Sequence, residues 1–375
     1  MLINMWYVVG SSAELAPGTS KPLRMIGHDF VLFRDSDGKG HCLSDICIHR
    51  GGSLCRGGVV NDTVQCPYHG WRFTGEGQCV EIPSLGPDAS IPKRARVDSY
   101  PVAEKYGWIW VFAGDLPESE RPPLPDHDFF PEYESNEYRI TRGSYLFNVN
   151  WMRAIDNILD PAHPFHVHSD FGHFEDQRLK RFEVEQHGTA TLSKHQFKSM
   201  PKHGEWREGM ADERPDTLNQ IQFNMTGMIF RNDIHPSPGM HHMVFSAYLP
   251  VEEDTVLNTW IHARNFFTDE KYDADTIRRN YAVLQEDAVV LNHVAPLKSP
   301  RNFTNELFIE SDIHIAAFRK KVRALEEKGW ALDLKASDQD DLARVIPSPK
   351  RTDDPKNWVL EPASVRHFKK QQAAE

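Results

Sequence analysis

The pattern of apolar and polar residues divides the chain into a strand-rich first part and a mixed second part. In residues 1–115, short apolar runs such as 30–33 and 108–112 alternate with turns that contain glycine, which is typical of a small all-β domain. Residues 116–127 are rich in proline and predict a connector. In residues 128–375, strand-like runs alternate with helical periodicity. The pattern therefore predicts two domains, which suits a chain of 375 residues.

In the second part, the pattern predicts a helix over residues 151–160 that Pro161 ends. Strand-like runs follow this helix, and two long helices come after the strands. The strand-like runs lie at 181–198, 219–231, 241–250 and 256–266. The two long helices are predicted at 270–292 and 311–329, and the polar stretch at 199–217 is predicted to be a mobile loop.

Charge and hydropathy exclude several classes of protein. The net charge of −11 opposes binding to nucleic acid, and no basic cluster counteracts it. No apolar run approaches the ~20 residues that a transmembrane helix needs. The start of the chain lacks a basic region and predicts a first strand, not a signal peptide. We therefore expect a cytoplasmic protein with no membrane or nucleic-acid partner.

Two short segments that each pair a cysteine with a histidine are the most informative feature of the chain. They are Cys47-Ile48-His49 and Cys66-Pro67-Tyr68-His69, and glycine follows closely after each. Two thiolates on one iron and two imidazoles on the other are the ligands of a Rieske [2Fe–2S] cluster. Tetrahedral zinc also binds two cysteines and two histidines, but zinc fingers usually group cysteine with cysteine. The arrangement favours the iron–sulfur cluster over zinc.

A second group of potential metal ligands follows the first predicted helix. Asp156, Asp160 and His163 are spaced to fall on one helical face. Pro161 and Pro164 interrupt the regular helix at this point. Three histidines lie within six residues: His163, His166 and His168. Taken alone, these residues leave two interpretations open, a metal site or a polar helix end with surface histidines.

With both groups of ligands, the chain resembles the Rieske non-heme iron oxygenases. That family carries the pattern N-x2-D-x2-H-x4-H, which four residues match position by position: Asn157, Asp160, His163 and His168. The resemblance implies that His163 and His168 bind a mononuclear Fe(II) and that Asp160 and Asn157 act in catalysis. It also implies the cluster ligands, which are Cys47, His49, Cys66 and His69. His166 does not match this spacing, so we expect it to line the pocket or to contact one of the ligand side chains without binding the metal.

The third ligand of such an iron is a carboxylate, which must come from farther along the chain. The helix predicted at 270–292 has an apolar stripe, with Asp287 at its edge and Glu286 nearly opposite. Asp287 can therefore turn inward more easily, and the third ligand of the family lies in the same E-D-x-x-V context. We predict Asp287 as the ligand and Glu286 as a solvated charge. Glu306 and Asp312 rank with Glu286 below Asp287.

The resemblance implies an α+β architecture. An all-β Rieske [2Fe–2S] domain is followed by a helix-grip (START-like) catalytic domain, in which a curved antiparallel sheet wraps a helix. The implied assembly is a homotrimer of catalytic α subunits, in which Asp160 connects His163 of one chain to His69 of the next. The implied metals are one [2Fe–2S] cluster and one mononuclear Fe(II) per chain.

The implied reaction uses O2 to hydroxylate or O-demethylate a small hydrophobic aromatic or polycyclic substrate. Electrons from NAD(P)H arrive through a separate reductase or ferredoxin, because the chain has no nucleotide-binding glycine motif of its own. Two other functions stay open. A dioxygenase that cis-dihydroxylates an aromatic ring uses the same metal ligands. A Rieske electron carrier with a ligand-binding domain would hold only the cluster iron.

Overall fold

The computed structural model describes residues 1–168, 177–188, 190–197, 216–337 and 342–366. Its residue contacts define two compact units, one of Met1–Pro123 with Arg323–Glu375 and one of Leu124–Val322. The sequence predicted that residues 128–375 form a single domain. In the structure, the final segment, Arg323–Glu375, groups with the first unit instead. Most of the loop predicted at 199–217 lies outside the described residues.

The first unit consists mainly of short antiparallel strands. They are β1 (Met5–Ser11), β2 (Ser20–Met25), β3 (His28–Arg34), β4 (Gly40–Ser44), β5 (Val59–Val60), β6 (Thr63–Gln65), β7 (Arg72–Phe73), β8 (Cys79–Glu81), β9 (Ser99–Tyr100), β10 (Val102–Lys105) and β11 (Trp108–Ala113). They form three sheets in the orders β1-β11-β10, β2-β3-β4-β9 and β5-β6-β7-β8. The predicted all-β domain is confirmed. The two apolar runs noted above are β3 and β11, and β11 is buried along its whole length, which explains its continuous apolar sequence.

The second unit contains one seven-stranded antiparallel sheet with helices packed on it. Its strands are β12 (Arg139–Phe147), β13 (Lys180–His187), β14 (Ala190–Phe197), β15 (Thr217–Asn224), β16 (Ile229–Ser237), β17 (Met240–Glu252) and β18 (Thr255–Arg264), in the sheet order β12-β18-β17-β16-β15-β14-β13. Its helices are α1 (Trp151–Leu159), α2 (Pro164–Val167), α3 (Asp273–Leu291) and α4 (Ile313–Glu327), which continues beyond Val322. The predicted α+β class is confirmed.

Helix α3 packs on the face of this sheet that carries Trp260 and His262. The ring of Tyr281 lies 5.9 Å from that of Trp260, and Asn280 contacts His262 at 2.7 Å. Within the described part of the chain, none of the helices has the length and apolar character needed to cross a membrane.

Two of the predicted strands are hairpins. The run at 181–198 contains most of β13 and all of β14, and the chain turns at Gly188. The run at 219–231 contains most of β15 and the start of β16, and the chain turns at Gly227. The two-residue periodicity continues through a tight hairpin, so the pattern alone does not show where the strand reverses.

The final segment belongs to the first unit because of contacts between residues distant in sequence. It contains α5 (Leu334–Ser337), β19 (Arg344–Val345), α6 (Pro349–Asp353) and β20 (Glu361–Pro362). The buried carboxylate of Asp98 accepts two hydrogen bonds from Arg351, at 2.7 and 2.8 Å. The ring of Trp358 lies 4.0 Å from the guanidinium of Arg96 and 4.4 Å from that of Arg351. No local sequence signal marks such pairings, so the apolar pattern could not predict that the final segment groups with the first unit.

Candidate metal centres

The two cysteine–histidine segments form loops of the same construction. In the first, the N–H of Cys47 donates to the carbonyl five positions later, and its own carbonyl accepts from Gly51, both at 2.8 Å. In the second, Cys66 makes the same two bonds, at 2.8 Å and, from Gly70, at 3.0 Å. Gly51 and Gly70 have φ angles of 70° and 73°. This left-handed conformation costs glycine little, which explains why a glycine occupies this position in both loops.

The loops bring the predicted cluster ligands together in two pairs, the thiols of Cys47 and Cys66 and the rings of His49 and His69. The histidine ring centroids lie 4.5 Å apart, and Trp71 stacks on His49 at 4.6 Å with nearly parallel planes. Burial raises the pKa of the Cys47 thiol to about 12, and the neighbouring Cys66 adds to this increase. The raised pKa means that burial disfavours the thiolate unless a cation lies beside it. A bound iron ion supplies such a cation, so this environment suits thiols that bind iron.

Gly52 lies directly beside the Cys66 thiol, so a side chain at position 52 would fill the space next to that sulfur. A Cβ atom at position 52 would lie only 2.9 Å from Sγ of Cys66, whereas a Cβ at Gly51 would meet no atom within 4 Å. We expect Gly52→Ala to lower the cluster content severalfold, measured as acid-labile sulfide and visible absorbance per chain. Gly51→Ala is the control, because it strains the backbone by about 1 kcal/mol without filling that space. Equal cluster content in Gly52→Ala and wild-type protein would contradict the proposed position of the cluster.

In the second unit, the chain turns sharply after α1 and places two histidines side by side. His163 precedes α2, His168 follows it, and their Nε2 atoms lie 3.2 Å apart. The buried Asp287 on α3 reaches this pair. Its Oδ1 atom lies 3.5 Å from Nε2 of His163 and 3.4 Å from Nε2 of His168. The structure therefore brings together the three residues that the sequence predicted as iron ligands.

The other nitrogen of each histidine contacts an oxygen that can only accept, which determines where the protons lie. Nδ1 of His163 lies 2.7 Å from the carbonyl of Asp160, and Nδ1 of His168 lies 3.1 Å from Oε2 of Glu286. Both Nδ1 atoms are therefore protonated, and both Nε2 atoms direct a lone pair toward Asp287. Oδ1 of Asp287 has no hydrogen-bond partner among the described residues. Three acceptors in such close contact are the arrangement that a bound cation stabilises.

The size and chemistry of this group fit a divalent metal ion. A triangle with sides of 3.2, 3.4 and 3.5 Å has its centre about 2 Å from each corner, close to metal–nitrogen and metal–oxygen bond lengths. Burial lowers the pKa of His163 and of His168, which favours the neutral imidazoles that a metal ion needs as ligands. Burial raises the pKa of Asp287, while His163 and a hydrogen bond from Asn157 oppose that shift. Two imidazoles and one carboxylate are the facial ligand set of non-heme Fe(II).

Asp156, which helical spacing predicted on the same face as Asp160 and His163, does not belong to this group. Helix α1 ends at Leu159, so its face does not continue to the histidines. The buried carboxylate of Asp156 accepts hydrogen bonds from Arg319, at 2.5 and 3.0 Å, and from Ser299 at 2.6 Å. Arg319 also forms an ion pair with Glu306. Glu306, one of the alternative third ligands considered from the sequence, is therefore part of a structural ion pair.

The surroundings of the histidines also differ from the predictions. Asp160 orients His163 with its main-chain carbonyl, whereas its side-chain Oδ1 accepts the N–H of Ala162 at 2.7 Å. Glu286 is not a solvated charge, because it accepts the hydrogen bond from His168 described above. The side chain of His166 is exposed on α2 and is not among the residues that line the adjacent cavity. The break after α1 reorients these side chains relative to a continuous helix.

A cavity of about 190 Å³ extends from this group between α3 and the sheet. The α3 residues that line it include Arg279, Asn280, Val283, Leu284 and Asp287, and those of β17 and β18 include His242, Val244, Ser246, Tyr248, Asn258, Trp260 and His262. On each strand, every second residue faces the cavity, as the pleat requires. The alternation of residues on β17 was visible in the sequence, but it does not tell which face of the sheet encloses a ligand.

Comparison with known families matches two segments of the chain. Residues 5–101 match the Rieske [2Fe-2S] domain, and residues 147–328 match the vanillate O-demethylase oxygenase C-terminal domain. The first segment contains both cysteine–histidine loops. The second contains His163, His168 and Asp287. The match of the first segment favours the iron–sulfur interpretation of the cysteine–histidine loops over zinc.

Individual relatives extend this comparison. The chain is 34% identical to the phenoxybenzoate dioxygenase subunit alpha of Ectopseudomonas oleovorans over 183 residues, which are 45% of this chain and 44% of the relative. It is 30% identical to the 4beta-methylsterol monooxygenase of Methylococcus capsulatus over 221 residues, 58% of each protein. The chain thus spans about half the length of these relatives. A crystal structure of dicamba monooxygenase bound to dicamba has a TM-score of 0.71 and 25% identity, covering 89% of this chain and 98% of that chain.

Proposed function

Because the chain belongs to the Rieske oxygenases, we propose that it is the terminal oxygenase component of a multicomponent system. In this role it takes electrons from NAD(P)H through a separate reductase or ferredoxin. It uses O2 to hydroxylate or O-demethylate an aromatic or polycyclic substrate. The observation that carries the proposal is the buried group of His163, His168 and Asp287 beside a cavity. The predicted cytoplasmic location stays a prediction.

Two sets of residues hold the metals in this proposal. Cys47, His49, Cys66 and His69 bind the [2Fe–2S] cluster, and His163, His168 and Asp287 bind the mononuclear iron. When bound, these groups supply the electron transfer and O2 chemistry that amino-acid side chains do not provide.

The chain itself orients the ligands and positions the substrate. Asn157 donates a hydrogen bond to the carboxylate of Asp287. Glu286 accepts the hydrogen bond from Nδ1 of His168 and so directs the Nε2 lone pair of that histidine inward. The largely apolar cavity walls position a hydrophobic substrate next to this site and exclude water from it.

We further propose that three chains form a ring in which the cluster of one chain serves the iron site of the next. Asp160 would then connect His163 to His69 of the adjacent chain. Two observations support this role. The carboxylate of Asp160 is partly exposed, and because the main-chain carbonyl of Asp160 already orients His163, the side chain is not needed for that role and can reach His69 of the adjacent chain.

A dioxygenase is the second candidate, because one of the relatives reported above is named a dioxygenase. Product analysis separates the two activities. The purified protein is supplied with a reductase, NADH and ¹⁸O2, together with methoxy-aromatic and polycyclic compounds. One incorporated ¹⁸O atom, or release of formaldehyde, supports the monooxygenase, and two atoms in a cis-diol support the dioxygenase. If no compound reacts and the protein holds only the two cluster irons, the chain is an electron carrier and the proposal fails.

A further inference from the structure

A buried carboxylate lies at the start of the first cysteine–histidine loop. Asp45 is two positions before Cys47 and is 7% exposed. Its Oδ2 atom accepts a hydrogen bond from the hydroxyl of Ser53 at 2.5 Å, and its Oδ1 atom accepts one from the N–H of Cys55 at 2.6 Å. The thiol of Cys55 also donates to Oδ2, at 3.4 Å. Asp45 therefore connects the segment that enters the loop with the segment that leaves it.

The three groups that donate to Asp45 are all uncharged. A main-chain N–H, a hydroxyl and a thiol stabilise an ionised carboxylate, but they do not neutralise its charge. Among the residues that the structure describes, no lysine, arginine or histidine forms an ion pair with Asp45. Arg56, which follows Cys55 in the chain, is exposed. The first unit thus holds a buried negative charge without an ion-pair partner.

This charge lies beside the proposed cluster site. Ser53, which donates to Asp45, directly follows Gly52, and a Cβ atom at position 52 would lie 2.9 Å from Sγ of Cys66. Ile46 pairs with Ser53 in an antiparallel bridge, which keeps the two ends of the loop together. The carboxylate therefore contacts the residue next to the one that lies against a ligand sulfur.

Reduction of a cluster at this site adds one electron and therefore one negative charge. An oxidised [2Fe–2S] cluster with two thiolate and two imidazole ligands has no net charge, and no bond forms or breaks when the electron enters. A fixed anion nearby makes the added negative charge less favourable. Burial strengthens this repulsion, because the interior of a protein screens charges less than water does. The charge of Asp45 thus favours the oxidised cluster.

We propose that Asp45 is a fixed buried charge that lowers the reduction potential of the cluster. A lower potential favours transfer of the electron onward from the cluster and requires a strongly reducing donor. Hydrogen bonding alone does not require this charge, since the carboxamide of an asparagine can also accept the N–H of Cys55. The inference rests on the proposed cluster ligands and not on the proposed oxygenase reaction, because a reduction potential is measured without turnover.

A redox titration of the cluster-containing protein with dithionite, followed by EPR at neutral pH, tests the inference. Asp45→Asn keeps the shape of the side chain and an acceptor for Cys55, so the main loss is the charge. At a fixed ambient potential, we expect the ratio of reduced to oxidised cluster to rise about tenfold in this variant. For a one-electron couple, that change equals an increase in the reduction potential of about 59 mV.

Asp62 provides a matched control in the same unit. Its carboxylate also accepts one N–H and one hydroxyl, both from Ser36, at 2.7 and 3.0 Å, but Asp62 is exposed. Asparagine suits the backbone at this position, where φ is 59°. Because water and salt screen an exposed charge, we expect Asp62→Asn to leave the reduction potential nearly unchanged.

A second variant, Ser53→Ala, separates the charge from the geometry of the loop. It removes one donor and keeps the carboxylate, so we expect the potential to stay the same or to fall. A rise like that in Asp45→Asn would overturn the inference, because the loop geometry then sets the potential.

Three further results would overturn the inference: an unchanged potential in Asp45→Asn, an equal shift in Asp62→Asn, or loss of the cluster from Asp45→Asn. In the last case the carboxylate acts as a structural anchor and not through its charge. Wild-type protein that binds no cluster contradicts both this inference and the proposed function. If the potential shifts as expected but no substrate is oxidised, the oxygenase function fails and the role of Asp45 stands.

Discussion

Asp287→Ala should lose the mononuclear iron and reduce turnover to background while the cluster remains intact. The physical reason is the buried contact between Oδ1 of Asp287 and the two Nε2 atoms of His163 and His168, at 3.5 and 3.4 Å. Without this carboxylate, two neutral imidazoles are left, and they hold a divalent cation weakly. Iron and acid-labile sulfide per chain, measured together, report the loss of one iron from three. His163→Ala and His168→Ala should have the same effect.

Glu286 provides the matched control, because it is the adjacent carboxylate on α3 and contacts the outer nitrogen of His168. We expect Glu286→Ala to weaken iron binding by roughly 10–100-fold, as loss of an orienting partner does, but to allow turnover when iron is supplied in excess. His166→Ala should change neither quantity, since His166 is exposed. Loss of iron in Glu286→Ala together with retention in Asp287→Ala would assign the third ligand to Glu286.

Asp160→Asn should retain both metal centres and lose most of the turnover. His163 is oriented by the main-chain carbonyl of Asp160, and the Oδ1 of an asparagine can still accept the N–H of Ala162. The local turn and the iron site are therefore preserved, with a stability cost of about 1 kcal/mol or less. What the variant loses is the charge that we propose to connect His163 with His69 of the next chain. Steady-state turnover, iron content and the rate of cluster reoxidation measure these effects separately.

Mixed assemblies test the same transfer path without Asp160. Chains that lack the cluster, Cys66→Ser, are combined with chains that lack the iron, His163→Ala, after each has been shown to be inactive alone. Transfer between chains predicts activity in the mixture. An inactive mixture, with both variants present in one assembly, would contradict that path. Wild-type activity in Asp160→Asn would show that this aspartate is only a helix-end residue.

The sequence by itself determined the features whose partners are close along the chain. The cluster loops are short, and each depends on a glycine that completes a turn around its own cysteine, so both could be predicted from their motifs. Helical periodicity singled out Asp287 before any contact was known, because position on a helix is a local property. The all-β character of the first domain and the mixture of helices and strands in the second followed from the spacing of apolar residues, whereas the α+β architecture was implied by the family resemblance. The functions of these site residues stay predictions until metal content and turnover are measured.

Only the tertiary structure decided which groups surround those residues. Helix α1 ends at Leu159, and this break separates Asp156 from the histidines and gives the role predicted for the Asp160 carboxylate to its main-chain carbonyl. Glu286 reaches His168 across 118 positions of sequence. Asn280 contacts His262, and His262 contacts His242, so these hydrogen bonds join helix α3 to strands β18 and β17. The physical reason is the same in each case: hydrogen bonds and ion pairs form between atoms close in space, and local periodicity carries no information about which distant elements pack together.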